Sequence, residues 1–426
     1  MGKLIDPVTR SRIQSTIDQK VQSRTVPPLI YLAFDLEGDI FFSHASGTRG
    51  VESDEPMTQD TVFWVASLTK LVTTIACMQL VEKGTLALDD AAQVALLAPE
   101  LAKFGVIVDG GRGRLSLEAQ RRPITLRMLL SHTAGFGYAF DDIKLRKWSL
   151  PTGIDDFNAD FSELLRHQLV NHPGEAFQYS VGLDWAGLIV QRVTGVTLDE
   201  YVQKHIVQAL GLEEITFLPS ESMKSRLAYM HQRGPDGTLR HTEHINRRPL
   251  LAQTAEDKEG VFHMGGCGSF ARPDQYCQII ASLLNNGFNK RANLQLLKPE
   301  TVALMFEDHI VDMPIHTDQP WQSAKPLLAN STPIFPPPED SEPRDDTMGW
   351  GLSFALTLRP GATGRAAGTA WWEGLPNLYW FADRASGIGG IIAAQVLPYG
   401  DRDVVRLADE VERVIYDACV QQDDRP

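Results

Sequence analysis

The chain has 426 residues, of which 43% are hydrophobic and 22% charged, and this usage excludes a chain too polar to bury a core. Forty Lys and Arg stand against 54 Asp and Glu, a net charge of −14 that excludes the basic face a nucleic-acid partner requires. In chain order, Ile13, Ile17 and Val21 lie four apart and predict a helix over 8–24. Two short strands follow, Leu29 to Phe34 and Asp39 to Ser43, with Glu37-Gly38 as the turn. Leu71, Ile75, Met78 and Val81 form the stripe of a helix from Ser67 to Glu82, which Gly84 closes. From about 90 to 315 the pattern is mostly helical, with helices at 160–170, 182–195, 198–209, 273–286 and 298–306. Residues 314–343 hold eight prolines and read as an extended loop, a candidate lid. The strand signal returns at Trp350 to Leu356, Asn377 to Phe381 and Gly389 to Leu397, and a last helix covers about 401–420.

Strands at both ends with helices between predict an α+β chain whose distant strands pair in one antiparallel sheet. The expected organisation is a single domain over 1–426. Segments 1–66 and 345–426 would form the sheet region, and 67–344 a mostly helical region carrying the proline-rich loop. The four cysteines (Cys77, Cys267, Cys277 and Cys419) are too sparse for a disulfide framework. No stretch approaches the roughly 18 apolar residues of a membrane span, and the N-terminus lacks the apolar run of a secretory signal. A soluble, cytoplasmic protein is expected.

The sharpest chemical signal is Ala66-Ser67-Leu68-Thr69-Lys70. Ser67 and Lys70 are three apart at a predicted helix start, hence on one face, where the lysine reaches the hydroxyl. A desolvated ammonium loses proton affinity and serves as a base. Unpaired backbone N–H groups at the helix start suit an acyl oxyanion. The bare S-x-x-K pattern is common, so its weight comes from its surroundings. Thr61-Val62-Phe63-Trp64-Val65-Ala66-Ser67-Leu68-Thr69-Lys70-Leu71 resembles the active-site segment of the serine β-lactamase and penicillin-binding-protein superfamily. Ile124 to Phe136, with Ser131-His132-Thr133-Ala134-Gly135, resembles that family's helix and turn before the second motif. Phe177-Gln178-Tyr179-Ser180-Val181-Gly182 resembles the tyrosine-bearing second motif, and Gly265 to Phe270 the glycine-rich turn before the Asp274 helix. Trp372-Glu373-Gly374, just before a predicted strand, stands where the family has its K-T-G triad. The resemblance spans about 8–420. Its segments Gly182-Leu183-Asp184-Trp185-Ala186-Gly187 and Pro376-Asn377-Leu378-Tyr379-Trp380-Phe381-Ala382-Asp383 are most similar to those of fungal lovastatin-type acyltransferases and family VIII carboxylesterases.

The resemblance implies a β-lactamase/transpeptidase-like fold with a site between sheet and helical lobe. It implies Ser67 as nucleophile, Lys70 as proton acceptor or relay, and Tyr179 as general base with Lys70. A phenol beside an ammonium is expected to have a lowered pKa. The backbone N–H groups of Ser67 and Leu375 would form the oxyanion hole, and Trp372, Glu373, Gly374 and Val181 would meet substrate. Two departures matter. Val181 replaces the asparagine of Tyr-x-Asn, and Trp372 replaces the lysine that binds a penicillin carboxylate. Both disfavour β-lactam hydrolysis and suit an ester, thioester or polyketide-like substrate in an apolar pocket. The implied activity is serine-dependent acyl transfer to a hydroxyl of a secondary metabolite. The partners would be a small-molecule acceptor and an acyl thioester donor, on a carrier protein or a coenzyme. A carboxylesterase and a catalytically silent binding protein on the same fold are the alternatives.

No metal or cofactor is expected. His241 and His244 lack a ligand set around them, and Gly110-Gly111-Arg112-Gly113 and Gly387-Ile388-Gly389-Gly390 lack a dinucleotide context. His132 is expected to bond structurally at a helix end, and Cys267 to pack.

Overall fold

The computed structural model describes residues 3–311, 313–314, 323–330 and 348–423. Its centre is a seven-stranded antiparallel sheet. The strands are β1 (Leu29–Asp35), β2 (Ile40–Ser46), β3 (Met348–Trp350), β4 (Ala355–Thr357), β5 (Ala370–Gly374), β6 (Leu378–Asp383) and β7 (Ile388–Ala393), in spatial order β3-β4-β5-β6-β7-β1-β2. The two ends of the chain meet where β1 pairs with β7, with Ile30 opposite Ala393 and Phe34 opposite Gly389.

Strand alternation divides the core in two. Ile30, Leu32 and Phe34 face the helical lobe, and Tyr31 and Ala33 face the terminal helices. Those helices are α1 (Pro7–Gln22) and α6 (Arg402–Asp423). Asp6 caps α1 by accepting from the Val8 and Thr9 amides, Pro7 fits its first turn, and Ile13, Ile17 and Val21 are buried against the sheet side. On the other face lie α2 (Thr69–Glu82), α3 (Leu126–Leu130), α4 (Gly182–Thr194) and α5 (Pro273–Leu284). Every residue of α2 from Thr69 to Leu80 is buried, as expected of a helix packed on all sides.

Several boundaries differ from the sequence reading. The segment expected as one strand from Trp350 to Leu356 is a hairpin. It reverses where Gly351 donates to the Phe354 carbonyl and Ser353 takes φ +72°. The strand expected from Gly389 to Leu397 ends at Ala393, and Val396–Leu397 instead pairs in parallel with Met230–Arg233. Trp372-Glu373-Gly374 does precede the expected strand, β6, and also closes a strand the sequence reading did not foresee, β5. The expected helix 160–170 is only Phe161–Leu164, because the Leu169 amide is drawn to the Gly105 carbonyl. The helix at 198–209 is α-helical only over Leu198–Val202, then widens to a π turn at Gln203–Val207. The helical region also holds unforeseen hairpins, Val106–Asp109 with Leu115–Glu118, Met230–Arg233 with Leu239–Thr242 and the short Phe288–Asn289 with Leu294–Gln295. Most of the proline-rich candidate lid lies outside the described residues. Among the described residues no helix is long and apolar enough to cross a membrane.

Candidate active site

Ser67 sits in a single tight turn, Ala66–Leu68, between the short strand Phe63–Trp64 and α2. Ala66 is held at φ +45°, a left-handed conformation that an L side chain adopts at a cost of about 1–2 kcal/mol. The Thr69 hydroxyl donates back to the Ala66 carbonyl at 2.6 Å and fixes the turn. One turn on, Lys70 is fully buried. Its Nζ donates to Ser67 Oγ at 3.0 Å, to Tyr138 Oη at 3.0 Å and to the Gly266 carbonyl at 2.7 Å. Burial lowers its pKa to about 8, with the nearby Cys267 and Asp184 side chains opposing the shift. The buried amine, in contact with the hydroxyl, therefore gives up its proton more readily than a free lysine.

The Gly266 carbonyl is set by its own neighbours. The Gly266 amide donates to Asp184 Oδ1 at 2.8 Å, and the Gly265 carbonyl accepts from Thr73 at 2.7 Å. A Cβ at Gly265 would stand 2.4 Å from the Leu183 carbonyl oxygen, so only glycine lets this turn approach α4. Asp184 is buried, which raises its carboxyl to about 6 against the pull of the Gly266 amide and Lys70.

Tyr179 joins the same cluster. The Trp372 indole donates to its phenol oxygen at 3.0 Å, and Lys70 Nζ lies 4.6 Å from its ring centroid. The expected lowering of the phenol pKa is not found. Burial raises it, and hydrogen bonding to Ser67 and Trp372 offsets only part of that rise. The phenol is therefore neutral, and Lys70 is the group poised to accept a proton. His132 lies behind, at φ +57°, with Nδ1 accepting from the Ser180 amide at 3.1 Å and its ring 4.7 Å from that of Tyr179. Burial holds its pKa well below the usual range, so it is a neutral support for the second motif.

The end of β5 packs on the serine turn. A Cβ at Gly374 would lie 3.0 Å from the Val65 carbonyl, so the two backbones run side by side and Leu375 reaches the cleft beside Ser67. Trp372 and Glu373 also line that cleft, with Tyr138, Asp141 and Tyr399. Glu373 is not a surface carboxylate. It accepts a hydrogen bond from the Tyr399 hydroxyl, and burial pushes its carboxyl up to about 7. Two expected contacts are corrected. Val181 does not line this cleft: it opens α4, accepting from the Asp184 amide, and borders a separate small cavity with Asp156 and Asp184. Gly374 serves by close backbone packing rather than as a lining residue. Cys267 is packed against Met264.

Sequence reasoning missed Tyr138, Asp141 and Tyr399. Tyr138 has a faint signal, following Gly135-Phe136-Gly137 directly after the Ser131-His132-Thr133-Ala134 turn. Asp141 and Tyr399 carry none, since only the fold brings them to the cleft. Among the described residues no group of His, Cys, Asp and Glu forms a candidate metal cluster.

A sheet built from both chain ends, with a serine and a lysine one turn apart beside the end of β5, defines a serine acyl-transfer enzyme of the β-lactamase type. The beta-lactamase family model matches residues 14–307, and the chain belongs to that family. It is 31% identical to monacolin J acid methylbutanoyltransferase of Aspergillus terreus over 98% of each chain. It is 30% identical to lovastatin esterase of Penicillium rubens, over 92% of this chain and 94% of that one. The LovD6 mutant of simvastatin synthase from Aspergillus terreus superposes with a TM-score of 0.78 at 29% identity, over 97% of this chain and 96% of that chain.

Proposed function

We propose that Ser67 accepts an acyl group from a thioester, held on a coenzyme or a carrier protein, and that the enzyme passes it to a hydroxyl of a small secondary metabolite. The observation that carries this reading is the 3.0 Å contact between the buried Lys70 amine and Ser67 Oγ in an aromatic-walled cleft. The relatives, a methylbutanoyltransferase and an esterase, support acyl chemistry of this kind.

In the first half-reaction neutral Lys70 takes the Ser67 proton as Oγ attacks the thioester carbonyl. The carbon–sulfur bond then breaks, and the proton passes to the departing thiol. In the second, the acceptor hydroxyl attacks the acyl carbon while its proton moves through the Tyr179 phenol to Lys70. The acyl–Oγ bond breaks and Ser67 regains a proton. Trp372 holds the phenol for this relay, and the backbone N–H groups of Ser67 and Leu375 receive the oxyanion, each donor worth about 3–4 kcal/mol. Trp372 is thereby committed to Tyr179, so the carboxylate-binding role of the family lysine has no counterpart there. The protein's setting is the cytoplasm, which suits the buried thiols of Cys77, Cys267 and Cys277.

Hydrolysis is the second reading, favoured by the esterase relative. It follows the same steps with water as acceptor, and water exclusion by the cleft decides the partition. Pre-steady-state hydrolysis of p-nitrophenyl butyrate tests the shared first step. A nitrophenol burst of one equivalent per enzyme supports the acyl-enzyme. No burst and no turnover leave a binding protein.

A further inference from the structure

The cleft beside Ser67 has an electrostatic character that the acyl-transfer machinery does not use. Asp141 lines it and is 3% exposed, and neither of its carboxyl oxygens has a hydrogen-bond partner among the described residues. A buried carboxyl left unsatisfied costs about 1–3 kcal/mol or more, a cost a bound donor removes. Glu373 stands in the same lining. No arginine or lysine does, among the described residues, because Lys70 is turned to Ser67, Tyr138 and Gly266 behind it. The wall beside Asp141 is aromatic. The rings of Tyr138 and Phe140 lie 5.1 Å apart, and those of Phe140 and Phe157 5.5 Å apart. Ring faces and a buried carboxyl whose oxygens lack hydrogen-bond partners among the described residues are the chemistry that recognises an alkylammonium. Among the described residues the same lining offers a carboxylate no cation.

We propose that the acyl acceptor carries an ammonium group and no carboxylate, with the ammonium donating to Asp141 against the Tyr138, Phe140 and Phe157 rings. This rests on the acyl-transfer reading above and specifies its acceptor. Burial, with the Asp142 and Asp156 charges adding to it, holds the Asp141 carboxyl well above the usual range. The empty site thus keeps a neutral acid, and as the cation arrives the carboxyl releases its proton to solvent and becomes a partner carboxylate. The covalent step is unchanged: the acceptor oxygen bonds to the acyl carbon, the acyl–Ser67 bond breaks, and the hydroxyl proton returns to the enzyme.

Three matched ring alcohols test this with p-nitrophenyl butyrate as donor: trans-4-(dimethylamino)cyclohexanol, trans-4-isopropylcyclohexanol and trans-4-hydroxycyclohexanecarboxylate. The tertiary amine is protonated near neutrality, donates one N–H, and forms no stable amide. The readout is the acceptor kcat/KM, from butyrate ester formed. The expected order is ammonium, then neutral, then carboxylate, with the first step about tenfold or more, the worth of a charge-assisted hydrogen bond. Asp141→Asn brings the ammonium-to-neutral ratio close to one, a ratio read within each variant and so independent of its absolute rate. Equal or better use of the carboxylate alcohol by the wild type overturns the proposal, and that result needs no variant to fold. A preference that survives in Asp141→Asn also overturns it. Nitrophenol release in the absence of any alcohol reports the acyl-enzyme separately, so failure of the acceptor order is distinct from failure of the acyl-transfer reading.

Discussion

Trp372 Nε1 donates to the Tyr179 phenol oxygen across 3.0 Å, tying the end of β5 to the second motif. The phenol oxygen is thus occupied as an acceptor, and its proton is directed away from the indole. Trp372→Phe keeps the aromatic packing against Tyr179 and Trp350 but removes this donor. A neutral hydrogen bond is worth about 0.5–1.5 kcal/mol, so kcat is expected to fall about two- to tenfold with little change in Tm. Steady-state ester hydrolysis alongside thermal unfolding checks it. An unchanged kcat contradicts the positioning role.

The pH dependence of acylation follows from Lys70. It acts as base only when neutral, and burial sets its pKa at about 8. The kcat/KM for an uncharged ester is therefore expected to rise with pH to about 8 and level off above it. The linkage has a definite sign. The unfolded lysine keeps its proton to about pH 10.4, whereas the folded one loses it near 8. Between these values the unfolded chain binds more protons, so the contribution of Lys70 to stability rises with pH. A pH–rate profile that falls through this range contradicts Lys70 as base.

Tyr138 accepts from Lys70 Nζ at 3.0 Å and lies wholly inside the protein. Tyr138→Phe deletes an oxygen that stabilises the charged lysine. A hydrogen bond to a charged group is worth about 1.5–3 kcal/mol. The apparent pKa of kcat/KM is expected to move down, while the plateau falls about tenfold or more as Lys70 loses its orientation. The pH profile separates this from simple destabilisation, which leaves the apparent pKa in place.

Gly265 abuts the carbonyl of Leu183, and Thr73 lies on its other side. Gly265→Ala forces backbone against backbone and is expected to destabilise the protein by about 1–3 kcal/mol. It also displaces the Gly266 carbonyl from Lys70. Chemical denaturation and ester hydrolysis should fall together. Full stability in this variant contradicts the close packing of the turn on α4.

The parts of this architecture legible in the sequence are those where pattern and packing agree. Ile13, Ile17 and Val21 mark α1, and the unbroken apolar run from Leu29 to Phe34 marks β1, because the helix buries one face and the strand both. Ser67, Lys70 and Tyr179 were legible as a set through motif order. The hairpin at Met230–Arg233 and Leu239–Thr242 was missed although Gly234-Pro235-Asp236-Gly237 is strong turn chemistry, because its strands are only four residues long. Likewise Gly110-Gly111-Arg112-Gly113 turns out to be a hairpin tip. Asp141 and Tyr399 were invisible for another reason. They come from a loop after α3 and a segment before α6, and no local periodicity encodes their meeting in the cleft. The Tyr179 phenol is raised rather than lowered because burial, which no local motif encodes, outweighs the hydrogen bonds from its neighbours.

The most direct test of the account is intact-protein mass spectrometry after mixing the enzyme with a short acyl thioester, followed by peptide mapping, with Ser67→Ala in parallel. The account predicts a mass gain of one acyl group located on Ser67, absent in the variant, and discharged when an acceptor alcohol is added. An acyl group on another residue, or the same gain in Ser67→Ala, would contradict it.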